Sequence, residues 1–297
     1  MSLRLAHFSD IHLTARPLRL SPLDWFGKRA AGWLNVQIGR GRSFIDSNTV
    51  ASVMANDVRS RGYDHIVFSG DATTLGLRME FEEVKRILRP DDGWPPALAV
   101  PGNHDYYTWR AVRIGDFEKV FTPWQRGERL DKHIYPFAQR VGPLWLIGVN
   151  SAGANLAFWD SRGRVGAAQL QRLDELLRRL PPGPRVMVTH YPLCLEDGKP
   201  ETLWRRLRDA RRLADIAKSS DVRLWLHGHR HVSYFRKPDQ WLPFPVICAG
   251  SATQAGRWSY NEYTFVDNQM HVRRRVWSPM ASQFVDGDGF SLAFALT

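Results

Sequence analysis

The stretch ALAVPGNHD, residues 97–105, is a short apolar run that stops at Pro101-Gly102 and then offers three donor-bearing side chains in succession, Asn103, His104 and Asp105. Short apolar runs bounded by Gly or Pro read as buried strands, and open α/β sheets place their ligand-binding groups just past the strand ends. The same construction recurs to either side. Upstream, residues 3–8 end at Ser9-Asp10-Ile11-His12, and residues 65–69 (HIVFS) run into Gly70-Asp71. Downstream, residues 144–149 (LWLIGV), 185–189 (RVMVT, followed by His190) and 222–226 (VRLWL, followed by His227-Gly228-His229-Arg230-His231) continue the series.

Helical patterns lie between these runs. Residues 46–61 space Val50, Val53, Met54 and Val58 along one face, with Gly62 as a stop. Residues 78–88, 167–180 and 201–218 are the others, the third of these four ending at Pro-Pro-Gly-Pro. Strand–helix alternation predicts an α/β sheet protein. From about residue 240 the pattern turns to strands alone, at 246–249, 263–266 and 271–277, which predicts mixed or antiparallel strands completing the sheet. One segment, about 16–44, interrupts the alternation and reads as an insertion in a single domain over 1–297.

Composition agrees with a folded protein: 297 residues, 43% hydrophobic and 24% charged, exclude disorder, collagen and coiled coil and allow a sizeable core. Two cysteines, Cys194 and Cys248, make no disulfide framework, so a reducing compartment is expected. His7, Asp10 and His12 stand where a signal peptide needs an apolar core, and no apolar run approaches the roughly 18–20 residues of a membrane span. A cytoplasmic protein is expected. The net charge of +11 asks for an anionic partner and leaves phosphate chemistry, nucleic acid and acidic lipid head groups open.

The donors past the strand ends are two carboxylates, an amide and several imidazoles, a mixed set that suits Zn, Fe or Mn-type ions. No cysteine joins them, which argues against a structural zinc site. In extended chain, residues i and i+2 point the same way, so Asp10 with His12, and His229 with His231, are each expected to face a shared centre. Glycines at 70, 102 and 228 let the backbone turn tightly beside the ions. Each motif is common alone; five in order, each at a strand end, point to a metal centre.

The series D-x-H, GD, GNHD, H and GHxH, spanning residues 10–231, resembles the calcineurin-like metallophosphoesterases. The resemblance implies a four-layer αββα sandwich of two mixed β-sheets flanked by helices. It implies two divalent ions, Mn with Fe or Zn as alternatives, one held by Asp10, His12, Asp71 and His231. Asp71, Asn103, His190 and His229 would hold the other, Asp71 being the bridge. Two ions roughly 3.5–4 Å apart lower the pKa of a bridging water and neutralise phosphoryl oxygens during in-line attack. The family places His104 at the leaving group, and Asp105 either holds its imidazole or caps the turn. His7, His65, His133 and His271 lack motif support, and His227 is read as supporting its turn.

The centre gives the reaction class, hydrolysis of a phosphodiester or pyrophosphate bond, and the loops choose the substrate. In the insertion Ser21-Pro22 starts a helix that places Leu23, Phe26, Ala30, Trp33 and Leu34 on one face, with Trp25 close by. Asp24 is well placed for its dipole. Arg16, Arg19, Lys28, Arg29, Arg40 and Arg42 surround that face, a basic aromatic pattern shared by interfacial membrane segments and lid helices. It is similar to family members that cleave a lipid-linked nucleotide, UDP-diacylglucosamine, although their proteobacterial branch carries arginine where this chain has His104. A cyclic-nucleotide phosphodiesterase, a nuclease and a non-catalytic membrane-binding or scaffold protein are the alternatives; peripheral contact with an anionic membrane, at its inner face, goes with the first reading. Arginines 205, 206, 208, 211 and 212, on the predicted helix, and 273–275 read as solvated faces.

Overall fold

The structure, a computed structural model, describes residues 2–15 and 17–296. Arg16 and the side chains of Leu23, Phe26 and Arg40 lie outside the described residues. Twelve strands are present among them: β1 (Leu3–Phe8), β2 (His65–Phe68), β3 (Ala97–Ala99), β4 (Phe137–Val141), β5 (Leu144–Gly148) and β6 (Arg185–Val188). Then follow β7 (Val222–His227), β8 (Tyr234–Arg236), β9 (Val246–Cys248), β10 (Ser259–Val266), β11 (Gln269–Ser278) and β12 (Gln283–Ala293). The helices are α1 (Lys28–Asn35), α2 (Gly41–Ser43), α3 (Ser47–Ser60), α4 (Arg78–Leu88), α5 (Trp109–Ile114), α6 (Asp116–Phe121), α7 (Ala167–Arg179) and α8 (Ala210–Lys218).

The strands form two six-stranded mixed sheets, ordered β12-β11-β10-β1-β2-β3 and β4-β5-β6-β7-β9-β8. Alternation along each strand explains the layering. On β1 and β2, Leu5 and Val67 face the other sheet, where they join Val186, Leu224 and Leu226 of β6 and β7. Their neighbours Phe8, Ile66 and Phe68 face outward with Met54 and Val58 of α3 and Phe81 of α4. Met187 and Trp225 likewise face outward, with Leu173 of α7 and Leu213 of α8 in the same outer core. Strands buried on both faces are why the runs read as continuously apolar. The expected four-layer arrangement is the one observed.

Three expectations are corrected. The helix at 201–218 begins only at Ala210, because residues 204–208 spend their backbone on another loop: Ser161 N–H donates to Trp204 O at 2.9 Å, Gly163 N–H to Arg206 O at 3.1 Å and Arg208 N–H to Gly163 O at 3.0 Å. The single insertion helix is broken. A 3₁₀ turn, Pro22–Phe26, ends at Gly27, which is fully extended at φ −156°, before α1 starts. Finally, the basic and apolar residues of the insertion do not keep the sides expected of them. Arg29 is buried, donating to Leu75 O at 3.1 Å and pairing with Asp24 at 2.8 Å, while Leu34 is exposed. Trp33 packs on Leu75, Leu77 and Tyr107, so the insertion lies along the loop that follows Asp71. Trp145 and Trp225 are core residues, Cys194 and Cys248 are buried free thiols, and no described helix is long and apolar enough to cross a membrane.

Candidate metal centre

The expected donors gather past the C-terminal ends of β1, β2, β3, β6 and β7, but not by the expected strand geometry. Asp10, His12, Asp71, His229 and His231 all have positive φ, from 40° to 69°. Left-handed backbone at a non-glycine residue is unfavourable, at roughly 1–3 kcal/mol each, and persists only where its surroundings enforce it. Asp10 and His12 therefore converge through a left-handed loop rather than through extended i, i+2 chain. Asp10 N–H donates to Gly70 O at 2.9 Å and His12 N–H to Asp71 O at 3.1 Å, locking the two loops together. A side chain at Gly102 would run into the Asp71 carboxylate, and one at Gly228 into Ser9 and Asp10.

The donor atoms form two groups that meet at one carboxylate. In the first, one ligand atom each of Asp10, His12, Asp71 and His231 lie within 4.8 Å of one another. In the second, Asn103 Oδ1 is 3.2 Å from His190 Nε2 and 2.9 Å from His229 Nδ1. Asp71 Oδ2 stands 3.6 Å from His12 Nε2 and 3.4 Å from His190 Nε2. His229 and His231 thus belong to different groups, in agreement with the family pattern and against the shared centre expected from their spacing.

Tautomers show that this cluster fits cations. His12 Nδ1 faces Thr73 O at 3.1 Å, and His231 Nδ1 faces Gln254 Oε1 at 2.6 Å. Each Nδ1 must carry the proton to bond an oxygen acceptor, which leaves both Nε2 atoms as lone pairs in the neutral rings. Those lone pairs point at each other across 3.0 Å, an arrangement that repels unless positive charge lies between them. Among the described residues, buried Asp10 Oδ1 accepts no hydrogen bond although His231 Nε2 is 3.1 Å away, and buried His229 Nε2 also lacks a partner. Burial alone would raise the Asp71 pKa, but the imidazoles of His190, His104 and His12 outweigh it and hold the carboxyl well below its usual range. Burial lowers His190, yet Asp71 and Asp10 overcome this and push it up to about 9. The two carboxylates call for positive charge, which divalent ions on this N/O donor set supply.

His104 and Asp105 take separate roles. The His104 ring lines the cleft, its Nδ1 bonded to Thr74 O, and stacks on Tyr107 with centroids 5.5 Å apart. Among the described residues the Asp105 carboxylate has no hydrogen bond to that ring. Its Oδ1 accepts Thr73 N–H at 3.1 Å and its Oδ2 accepts Gly102 N–H at 2.9 Å, so the turn-cap reading is the one observed. A main-chain carbonyl, Thr74 O, orients the imidazole instead. His227 bonds Gly228 O at 2.8 Å, and buried His7 lies between Tyr263 and Ser69, neither in the cluster.

Above the donors opens a cleft of about 510 Å³. Lys28, Arg205, Arg230 and Arg257 line it, and Arg230 is paired with buried Glu201. Among the described residues Arg205 and Arg257 have no carboxylate partner. Sequence reasoning missed Arg205, assigned to a solvated helix face, and Gln254, around which no motif stands. Arginines 273, 274 and 275 of β11 pair with Asp286 and Asp288 of β12 and Asp57 of α3 and do not line the cleft, and Arg275 is buried, against the solvated face expected of it.

A family model described as calcineurin-like phosphoesterase matches residues 3–233. The chain is 26% identical over 239 residues to a "probable cyclic nucleotide phosphodiesterase" of Rhodococcus erythropolis, covering 77% of this chain and 65% of that one. It therefore spans just under two thirds of that relative. Among solved structures, a dimetal phosphatase from Danio rerio superimposes with TM-score 0.66 at 12% identity, covering 99% of each chain. A purple acid phosphatase from yellow lupin (Lupinus luteus) seeds superimposes with TM-score 0.61 at 13% identity, covering 99% of this chain and 54% of that one. At such identities the superpositions speak for the fold.

Proposed function

Because this chain belongs to the calcineurin-like phosphoesterase family, we propose that it is a metal-dependent phosphoesterase that hydrolyses a phosphodiester or diphosphate bond using two divalent ions, manganese with iron or zinc as alternatives. The observation that carries this reading is the pair of opposed Nε2 lone pairs of His12 and His231, 3.0 Å apart beside Asp10 and Asp71.

In this reading Asp10, His12, Asp71 and His231 hold one ion, and Asp71, Asn103, His190 and His229 the other. Bound there, the ions supply an activated water near neutral pH and positive charge for the phosphoryl oxygens. The chain's own groups do the rest. Asn103 orients its oxygen between His190 and His229. His104, its Nδ1–H held by Thr74 O, exchanges a proton with the leaving oxygen through Nε2. Lys28, Arg205 and Arg257 extend the positive field beyond the donors, which suits a substrate with more than one anionic group.

A lipid-linked nucleotide such as UDP-diacylglucosamine meets that demand, and acting on it places the enzyme peripherally at the inner face of a membrane. The second reading, a cyclic-nucleotide phosphodiesterase, is favoured by the Rhodococcus relative's name. Mn²⁺-dependent release of UMP from UDP-diacylglucosamine, run beside cyclic AMP and bis-p-nitrophenyl phosphate, separates them. UMP release supports the first reading, cyclic AMP cleavage alone supports the second, and no hydrolysis of any of the three overturns both.

A further inference from the structure

The loop 151–162 is inverted in polarity. It contains no helix or strand, and its polar residues are turned inward to pin it. Asn155 Nδ2 donates to Arg162 O at 2.9 Å, Arg208 donates to Asn155 Oδ1 at 3.1 Å, and buried Asp160 takes Arg162 Nε–H at 2.9 Å and Arg208 at 3.3 Å. Its large apolar residues point outward: Leu156 is 87% exposed, Phe158 63% and Trp159 57%. Loops facing water show the opposite arrangement, and clustered exposed apolar side chains mark an interaction surface.

Two neighbouring segments extend the same surface. Ser161 N–H binds Trp204 O at 2.9 Å, bringing up Leu203 and Trp204, which are 52% and 46% exposed. Lys28 Nζ donates to Asp160 O at 3.4 Å, bringing up the insertion with Trp25 and Leu34 about half exposed. Phe158 and Lys28 also line the metal cleft, so this rim borders its mouth. Cations are interspersed with the apolar side chains, namely Lys28, Arg205 and Arg208, while Asp160 is consumed by Arg162 and Arg208.

We propose that this rim docks the protein on an anionic phospholipid bilayer, with Leu156, Trp159 and Leu203 entering the interface and the neighbouring cations meeting lipid phosphates. Aromatic and aliphatic side chains beside basic residues are the chemistry of interfacial binding, and a chain of net charge +11 is drawn to an anionic surface. The inference deepens the reading above and rests on it for the role of the cleft, whose mouth then opens toward the lipid.

The test is co-sedimentation of the full chain with vesicles of phosphatidylcholine containing 30% phosphatidylglycerol, and with phosphatidylcholine alone. The wild type is expected to sediment with the anionic vesicles, less so in high salt. The triple variant Leu156→Ser, Trp159→Ser, Leu203→Ser is expected to lose at least ten-fold in partitioning while hydrolysing soluble bis-p-nitrophenyl phosphate at the wild-type rate, which shows that it folds. A wild type that stays in the supernatant, or a triple variant that sediments equally, overturns the proposal. So does ultracentrifugation showing a dimer that the triple variant makes monomeric without vesicle binding, since a second copy then covers the rim. Absence of hydrolysis of bis-p-nitrophenyl phosphate, cyclic AMP and UDP-diacylglucosamine alike in a vesicle-bound wild type overturns the catalytic reading instead and leaves the docking surface standing.

Discussion

His104 donates its main-chain N–H to Asp71 Oδ1 at 2.7 Å. One oxygen of the shared carboxylate is thereby committed to the backbone of the residue assigned to the leaving group. The other, Oδ2, is left facing His12 and His190. In the proposed reading, metal ligation and acid placement are therefore mechanically linked through one side chain.

Asp71→Asn follows from that link. An amide offers one neutral oxygen where the carboxylate offers two charged ones, so either the His104 backbone or the metals lose their partner. Metal retained after dialysis from Mn²⁺ is expected to fall from about two ions per chain to less than one, with turnover reduced on the order of 10³-fold, the upper end of what removal of a single hydrogen-bond donor causes. Two ions retained in the variant would contradict the shared role of Asp71.

His104→Ala is expected to lower turnover by about 10²-fold or more on a diester with a poor leaving group, the usual size of a general-acid contribution. With p-nitrophenolate, which departs without a proton, the loss should shrink to a few-fold. Equal losses on both substrates would remove proton transfer from the role of His104 and leave it a binding residue.

Much of this site was legible because strand ends and donors are local features: each apolar run and the donors that follow it are contiguous in the chain. What escaped was set by contacts distant in sequence. The positive φ of Asp10 and His12 is enforced by pairing with Gly70 and Asp71, some sixty residues away, so period-two reasoning gave the right partners for the wrong reason. Residues 201–209 have amphipathic spacing, but Asp209 accepts N–H groups of Val165 and Gly166, and that pairing starts the helix late. Strands β4, β8 and β12 were missed because they are short or carry charged and polar residues through their length, as in FAQRV and QFVDGDGFSLA. Gln254 has no neighbouring motif; only the fold brings it to His231.

Asp105→Ala tests the turn-cap role. The substitution strips the acceptor from the buried amides of Thr73 and Gly102 and from the Thr73 hydroxyl. Each unpaired buried donor costs roughly 1–3 kcal/mol, so thermal denaturation should show a lower Tm by several degrees. The pH dependence of kcat should keep its limbs, because Asp105 does not bond the His104 ring. A displaced limb with unchanged Tm would return Asp105 to the imidazole.

His65 predicts a pH-dependent stability term at the other end of the sandwich. Burial lowers its pKa from 6.5 to about 4, with the hydrogen bond to Gln139 opposing only in part. Gln139 Nε2 donates to Ala97 O and Arg126 O, so its oxygen accepts from His65 Nε2–H at 2.8 Å and the ring is neutral. The unfolded chain binds a proton below pH 6.5 that the folded chain refuses until about pH 4. The contribution of neutral His65 is therefore fully present above pH 6.5 and is lost as pH falls toward 4, by about 3 kcal/mol at most. Other buried groups titrate in the same window, so the comparison must be with a variant lacking this proton site. His65→Gln keeps a donor for Gln139 and cannot protonate. Urea midpoints of wild type and variant, measured from pH 7.5 to 4.5, should converge or cross as the pH falls, with the wild type losing more. A constant gap across that range would mean that His65 titrates alike in the folded and unfolded chains.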